Sequence, residues 1–348
     1  EGLGALPFGG ACYAAQIRRH TSLTLSPERI HEVGLAEIAR IDAEIVELGQ
    51  RLFGVSTLEE VLARLRSDPV LYFDTEEAVE AKARAALAEA KAAMPRFFHT
   101  VPKADCVVTR IPDYEAPYTT IAYYRPPIPG EKPGEYFINV HAPTTRPRYE
   151  AAALAYHESI PGHHLQIAIA QELPALPAFR RHLGLNVFVE GWALYTERLA
   201  DEMSLYATDL DRMGMLSYDA WRAARLVVDT GVHAFGWTRE QAKAFMLEHT
   251  ALARTARDLE ATARSRGRAG GALLLAALSR RGAHRGRSVH EAAPRSGGGL
   301  HLPEAGQQRP LRPPETPYRS RWIRVARGPA DPLQPDERLR AIGAAARD

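Results

Sequence analysis

Cysteine is scarce in this sequence, and long apolar runs are absent from it. Cys12 and Cys106 are the only cysteines among 348 residues, which excludes a disulfide framework and a thiolate metal site. Any bound metal would therefore use histidine and carboxylate ligands. The longest purely apolar run, from Gly270 to Leu278, is far shorter than the roughly 20 residues that span a bilayer. No membrane span is therefore expected.

An excess of charge of either sign is also lacking. The formal net charge is +2, with 45% hydrophobic and 25% charged residues, which is the composition of a soluble globular protein. This balance predicts no nucleic-acid partner. No basic stretch followed by an apolar core opens the chain, so cytoplasm is the expected compartment. Periplasm stays open, because the sequence begins at Glu1 and is expected to be truncated at its N-terminus.

Lysine disappears after Lys243, while arginine, glycine and proline crowd the residues that follow. This break predicts two parts, a helical domain over residues 1–250 and a tail over residues 251–348. The tail is expected to be poorly ordered, or to result from a shifted reading frame in a GC-rich gene. An arginine-rich arm for nucleic acid is the alternative, but only two aromatic residues, Tyr318 and Trp322, lie among its arginines.

Helix signals dominate the first hundred residues and return after residue 149. Ser26 before Pro27 predicts an N-cap and a first helical turn, and the amphipathic run that follows ends at Gly54. A second helix is predicted to start at a capping box of Ser56 with Glu59, and a third to run from Asp74 or Thr75 to a stop at Pro95. Four more are predicted after the sheet: Tyr149 to about His164, Asn186 to about Met203, Tyr218 to about Val232 and Arg239 to about Thr250.

Three short runs of β-branched and aromatic residues interrupt the helical pattern. They cover Cys106 to Thr109, Ile121 to Tyr124 and Tyr136 to Val140, with proline and glycine between them. They predict a small antiparallel β-sheet directly before the helices that carry the histidines. The predicted fold is therefore mainly α, a large helical domain with one small sheet.

Residues 157–164, which read HESIPGHH, have the residue types of a zinc site. A catalytic zinc needs three protein ligands and one open position, and the usual helical pattern is H-E-x-x-H with Glu as base. Here Pro161 stands where the second histidine would be. Pro161 and Gly162 favour a local bulge that lets His163 take that place, whereas an unbroken helix would present His164 beside His157. His163 is preferred and His164 stays open.

Two glutamates on the next helix complete the candidate site. Glu190 and Glu197 are seven residues apart on one helical face among apolar neighbours, which makes Glu190 the candidate third ligand and Glu197 a partner behind the ligands. The alternative is that these histidines and glutamates are ordinary surface or core residues. Against it, an isolated buried glutamate beside imidazoles is expensive unless it is paired or coordinated.

A stripe of polar residues follows on a third helix. Arg222, Arg225, Asp229 and His233 lie roughly on one face, and a buried ion network explains them as well as a function does. In the functional interpretation, His233 donates to the oxyanion of a tetrahedral intermediate and an arginine such as Arg225 holds a substrate carboxylate, with Asp229 nearby. Tyr124 and Tyr123 are weaker candidates for the same tasks.

These motifs resemble the bacterial family called domain of unknown function 885, and that family resembles gluzincin metallopeptidases of the thimet oligopeptidase and carboxypeptidase Taq type. The residues that carry the resemblance are IHEVGL (30–35), HESIPGHHLQ (157–166), EGWALYTE (190–197) and WRAARLVVDTGVHAFGW (221–237). It implies a metallopeptidase-like helical domain over residues 1–250, with zinc held by His157, His163 and Glu190 and with Glu158 as base. It also implies a deep cleft lined by the small sheet. The C-terminal segments typical of the family are not recognised after Thr250.

The expected function is zinc-dependent hydrolysis of peptide bonds in short peptides, with Zn²⁺ as cofactor and Glu158 as general base. One rival is a truncated or inactive relative that binds metal or peptide without turnover. Another is a non-haem Fe(II) oxygenase, which uses two histidines and one carboxylate but has no need of a base such as Glu158. A short peptide is the expected partner, and the oligomeric state is left open.

Overall fold

The computed structural model describes residues 2–173, 176–182 and 184–251. The chain divides into one unit over residues 1–277 and a second over residues 278–348. All described residues belong to the first unit, so the tail predicted from residue 251 lies outside them except for Ala251. Within the described residues no helix is both long and apolar enough to cross a membrane.

The described part of the chain is mainly helical, as the sequence predicted. Its α-helices are α1 (Gly9–Thr21), α2 (Pro27–Phe53), α3 (Leu58–Ser67), α4 (Glu76–Phe97), α5 (Ala151–Glu158), α6 (His163–Glu172), α7 (Ala178–His182), α8 (Asn186–Glu202), α9 (Asp209–Ala234) and α10 (Arg239–His249). Its strands are β1 (Cys106–Arg110), β2 (Ala122–Arg125) and β3 (Gly134–Ile138).

The predicted bounds of α2 are confirmed. Ser26 Oγ accepts a hydrogen bond from the Arg29 N–H, Pro27 occupies the first turn, and Gly54 closes the helix with φ of 70°, a left-handed conformation that favours glycine. The capping box of α3, in contrast, is Thr57 with Glu60, one residue later than predicted. The S/T-x-x-E pattern fits both positions, and local sequence does not separate them.

Three other helices differ from the sequence prediction. Helix α4 continues through Pro95 to Phe97, because a proline in the last turn removes a single backbone bond near an end that frays anyway. Helix α9 begins at Asp209, well before Tyr218. Gly214 lowers helix propensity there, yet a Cβ at this position would lie 1.7 Å from the Tyr149 carbonyl oxygen. Helix α1, which opens with two glycines, was not predicted.

The sheet is mixed and not antiparallel throughout, which corrects the sequence prediction. Its strand order is β1-β3-β2. Strands β2 and β3 pair antiparallel as predicted, whereas β1 and β3 pair parallel. The chain reverses direction after β1 and again after β2, so β3 runs parallel to β1. Strand β3 lies between the other two strands. This order leaves β2 at one edge of the sheet.

Long helices form the frame behind the site. Helices α2 and α9 pack closely together, because Gly34 presents no side chain: a Cβ there would lie 2.7 Å from Val227 Cγ2. Helix α5 contacts α4, α8, α9 and β2, and its buried side chains include Ala152, Ala153 and Ala155. The histidine-bearing segment is thereby placed between the sheet and the α8–α9 pair.

Candidate metal centre

The chain leaves helical geometry between α5 and α6, as Pro161 and Gly162 predicted. Helix α5 ends at Glu158 and α6 begins at His163, and the His164 N–H donates to the Ser159 carbonyl at 2.9 Å. Gly162 is required by close packing, because a Cβ there would lie 1.9 Å from the His157 carbonyl oxygen. The helix predicted from Tyr149 to His164 is therefore two helices joined by a bulge.

Trp192 of α8 holds this bulge in place. Its indole N–H is buried and donates to the carbonyl oxygens of Pro161 at 2.9 Å and Gly162 at 3.2 Å. The sequence pattern, in which Trp192 is one of the apolar neighbours of Glu190, did not predict this contact. Because Glu190 lies on the same helix two residues earlier, the tryptophan fixes the distance between α8 and the bulge.

His157, His163 and Glu190 come together at one point. One potential ligand atom from each lies within 4.8 Å of the others, and His157 Nε2 is 3.6 Å from Glu190 Oε2. Two atoms bound to one tetrahedral zinc at about 2.1 Å lie about 3.4 Å apart. Small side-chain rotations would therefore let these three residues hold a zinc ion, and the donor set is a standard one for catalytic zinc. Both histidines are buried.

The orientation of His157 is fixed from the other side of its ring. Its Nδ1–H donates to Glu197 Oε1 at 2.8 Å, which leaves Nε2 directed at Glu190. Arg222 binds both oxygens of the Glu197 carboxylate, at 3.0 Å and 3.3 Å. Glu197 is fully buried, and a buried carboxylate needs such a partner. Carboxylates that orient metal-ligating histidines in this way are typical of zinc sites.

His164, the alternative ligand, is used elsewhere. Its Nε2–H donates to the Ala104 carbonyl at 3.0 Å, and its Nδ1 accepts from the Tyr124 hydroxyl at 2.9 Å. Both ring nitrogens are therefore engaged by protein groups. His163 Nδ1, in contrast, is buried without a hydrogen-bond partner among the described residues. The structure thus favours His163 over His164 as the second histidine of the cluster.

Glu158 lies beside the cluster without joining it. Its Oε2 is 4.0 Å from His163 Nε2, and its side chain is 13% exposed. Burial raises the pKa of this carboxyl above its usual range. A glutamate with a raised pKa next to a metal position has the properties required of a general base that later delivers its proton.

Burial and neighbouring charges set the protonation of the three candidate ligands. Burial lowers the pKa of His157, but contacts with the Glu190 and Glu197 carboxylates outweigh it and raise that pKa to about 9. Burial, with the charge on His157 second, lowers the pKa of His163 to about 3. Burial acts to raise the pKa of Glu190, yet the contact with His157 brings it to about 2. Near neutral pH only His157 carries a proton that a metal would displace.

We therefore expect zinc binding near pH 7.5 to release about one proton, from His157. Because the metal-free pKa of His157 is about 9, the apparent zinc affinity should rise about tenfold per pH unit below that value and level off above it. Titration calorimetry in buffers of different ionisation enthalpy measures the proton count. Zinc binding that releases no proton at this pH would contradict the assignment of His157.

Replacing Glu197 with glutamine should weaken zinc binding without removing a ligand. The substitution removes the carboxylate charge, which orients His157 and balances the charge of Arg222. Loss of a group that orients a metal ligand typically costs about 10–100-fold in metal affinity. Competition with a chromophoric chelator measures the affinity. Glu59→Gln, an exposed glutamate of α3, is the control and should leave the affinity unchanged. An unaltered affinity in Glu197→Gln would argue against the proposed arrangement.

The polar stripe of α9 divides between two places. Arg222 reaches Glu197, whereas His233 lies about 16 Å further along the helix axis. There its Nδ1 accepts from the Leu3 N–H at 3.1 Å, and its Nε2 is 3.9 Å from Asp229 Oδ1. The oxyanion role predicted for His233 gains no support from this position, because the histidine is engaged with the N-terminal segment.

Asp229 and Arg225 occupy the middle of the stripe. Asp229 Oδ2 accepts from the Tyr13 hydroxyl of α1 at 2.6 Å. Arg225 packs its guanidinium over the Trp221 ring at 5.1 Å, and burial, with the charge of Arg222 second, lowers its pKa to about 10. The hydrogen bond from Tyr13 therefore gives Asp229 a structural task, and a substrate-binding role for Arg225 stays a prediction.

Neither tyrosine of β2 presents a hydroxyl proton to the cluster. The Tyr123 hydroxyl is 3.4 Å from Glu115 Oε1, and its ring stacks on Phe137 at 4.8 Å. The Tyr124 hydroxyl donates to His164, although its ring lies 6.4 Å from that of His163. The sheet thus reaches the cluster through Tyr124, which is oriented by His164.

Comparisons with solved structures agree with this fold. A "putative lipoprotein" from Colwellia psychrerythraea matches with a TM-score of 0.76 and 33% identity, over 82% of this chain and 51% of that one. A "putative lipoprotein of unknown function" from Shewanella oneidensis matches with a TM-score of 0.65 and 17% identity, over 82% of this chain and 54% of that one. The chain therefore spans about half the length of these two proteins.

Sequence comparison identifies the family of the chain. No curated protein matches the chain. The family described as "Bacterial protein of unknown function (DUF885)" matches residues 4–264, which include the whole candidate centre and most of the described residues. The chain belongs to the DUF885 family.

Proposed function

We propose that this protein is a zinc-dependent peptide hydrolase. The observation that carries the proposal is the cluster of His157, His163 and Glu190 within 4.8 Å, with the Glu158 carboxylate 4.0 Å from His163. Two histidines, one glutamate and an adjacent, largely buried carboxylate are the components that metal-assisted hydrolysis needs. The resemblance to gluzincin peptidases that we infer from the sequence motifs implies the same chemistry.

The residues of the site would have three roles, which are to hold the metal, to orient a ligand and to transfer protons. His157, His163 and Glu190 would hold the ion, and Glu197 with Arg222 would orient His157. A bound zinc would supply Lewis-acid polarisation of the scissile carbonyl and lower the pKa of a water molecule. Glu158 would take a proton from that water and return it to the leaving nitrogen, as its raised pKa permits.

An extended peptide is the substrate that best fits the neighbouring sheet. The Asn139 N–H donates to the carbonyl of Ile121, the residue before β2, and Tyr123 of β2 pairs with Phe137, so Ile121 and Tyr123 direct their backbone groups at β3. In an antiparallel pair the alternate residues, Ala122 and Tyr124, direct theirs away from it. Among the described residues β2 is an edge strand, which can bind an extended peptide by strand addition.

The rival functions have weaker support. A non-haem Fe(II) oxygenase could use the same three ligands, but it has no use for an adjacent base such as Glu158. An inactive relative that binds metal or peptide without turnover has the same site, and only an activity measurement separates it from a hydrolase. We favour the hydrolase because Glu158 is placed beside the cluster and is itself not one of the three ligands.

We also infer a location in the cell envelope, in place of the cytoplasm predicted from the sequence. The solved relatives are described as putative lipoproteins, and a hydrolase of short peptides is compatible with that compartment. Fractionation of cells that express the full-length gene tests this inference, and recovery only in the cytoplasmic fraction would refute it.

The direct test of function is peptide cleavage by protein whose metal content is known. Elemental analysis should find about one zinc per chain, and mass spectrometry of a mixed peptide library should show cleavage that a chelator abolishes and added zinc restores. Stoichiometric zinc without cleavage of any peptide would favour the inactive relative. Protein that binds no zinc would refute the proposal.

A further inference from the structure

We propose that His164 and Tyr124 form a positioning pair that sets the distance between the ligand His163 and the peptide-binding edge of β2. This inference rests on the proposed function and adds to it, because it gives a task to the histidine that the metal does not use. Both residues are neighbours of the proposed ligand His163. His164 follows His163 in sequence, and the centroid of the Tyr124 ring lies 6.4 Å from that of the His163 ring.

The hydrogen atoms of the pair can be assigned from the chemistry of the partners. A carbonyl oxygen only accepts, so His164 Nε2 must donate to Ala104 at 3.0 Å. In a neutral imidazole the other nitrogen is then an acceptor, and the Tyr124 hydroxyl must donate to it at 2.9 Å. The hydroxyl proton of Tyr124 is therefore used within the protein, which leaves its backbone as the part that a peptide can bind.

Close packing keeps the two side chains in this arrangement. Gly134 of β3 lies against both, and a Cβ there would be 2.5 Å from His164 Nδ1 and 2.7 Å from the Tyr124 hydroxyl. His164 is 1% exposed. Any residue larger than glycine at position 134 would displace the His164 ring or the Tyr124 hydroxyl. The arrangement of the pair therefore depends on Gly134 as well.

The segment that accepts from His164 is itself fixed to the same helix. Glu172 Oε1, at the end of α6, accepts from the backbone N–H of Lys103 at 2.7 Å and of Ala104 at 3.2 Å. Helix α6 is thus attached to the chain before β1 at both of its ends. Because β1 and β2 flank β3 in one sheet, α6 cannot shift relative to β2 without breaking these bonds.

This attachment matters for catalysis because a peptide on β2 must place one carbonyl beside the metal. A misplacement of about 1 Å can cost about a hundredfold in rate. A long peptide that pairs with β2 depends on this distance, whereas a tripeptide is too short to gain much from the strand. The pair should therefore affect long substrates selectively, which a packing role alone would not do.

The test compares Tyr124→Phe, His164→Gln and the double variant with the full-length parent, using one octapeptide and one tripeptide cut by the parent. Tyr118→Phe is the matched control, because Tyr118 is 89% exposed. We expect all variants to keep one zinc and a folded melting transition. Both single variants should lower kcat/KM for the octapeptide about tenfold and for the tripeptide less than about twofold, and the double variant should be no worse than the poorer single one.

Three results would overturn the positioning role: loss of zinc in His164→Gln, equal losses for both peptides, or octapeptide hydrolysis unchanged in both variants. If the parent cleaves no peptide of either length, the proposed hydrolase fails separately. Titration calorimetry of the zinc-loaded proteins with the uncleaved peptides then makes the same comparison. Octapeptide affinity about tenfold weaker in the variants, with tripeptide affinity unchanged, would support the pair, and equal affinities would refute it.

Discussion

Glu158→Gln is expected to abolish peptide hydrolysis while leaving zinc in place. Glutamine preserves the size of the side chain but cannot accept a proton, and general base catalysis contributes about 10²–10⁴-fold to such reactions. Glu158 is not among the three residues that could hold the metal, so zinc content should stay at the parental level. The loss should appear in kcat, because the substrate still reaches β2 and the metal.

The informative comparison is with Glu197→Gln, a buried glutamate at a different position around His157. That variant should lose zinc affinity and regain activity when zinc is added in excess, because its base is intact. Glu158→Gln should stay inactive at every zinc concentration. Steady-state kinetics over a zinc series distinguishes the two patterns. A Glu158→Gln protein with parental kcat would show that another group, or none, acts as base.

Much of the helical frame could be predicted because its signals are local. The N-cap at Ser26 and the closing Gly54 define α2 in both sequence and structure. The bulge at Pro161 and Gly162 was also predictable, since proline removes a backbone donor and glycine relaxes the chain. The gathering of His157, Glu190 and one of the two histidines His163 and His164 followed from residue chemistry and helical spacing.

The choice of the second histidine and the pairing of the strands could not be predicted, because both depend on contacts between residues distant in sequence. The choice between His163 and His164 required Ala104 and Tyr124, which engage His164 from the sheet. The parallel pairing of β1 with β3 required knowledge of which strand lies in the middle. No local pattern records either fact.

The partners of the polar residues on α9 could not be predicted from the sequence either. Arg222, Arg225, Asp229 and His233 share a helical face, yet Arg222 binds Glu197 and His233 contacts Leu3. Helical periodicity places side chains on one face but does not say which partner each will meet along a helix of 26 residues. The partner of His233 belongs to an N-terminal segment that had no recognisable helix signal, because glycines open α1.

Loss of zinc in His163→Ala, with zinc retained in His164→Gln, is the second result with a large expected effect. A ligand that binds only the folded state stabilises it by RT ln(1 + [L]/Kd), about 4 kcal/mol at a thousandfold excess over Kd. Saturating zinc should therefore raise the melting temperature of the parent and of His164→Gln. It should leave His163→Ala nearly unchanged, because His157 and Glu190 alone hold the ion weakly.

Thermal denaturation with and without zinc, followed by elemental analysis after desalting, measures both effects. The metal-free variants report any direct cost of each substitution, so a destabilised fold is not mistaken for a lost ligand. A zinc-dependent shift that survives in His163→Ala and vanishes in His164→Gln would reverse the assignment. The bulge would then have to rearrange on metal binding, because both nitrogens of His164 are engaged by Ala104 and Tyr124 in the structure.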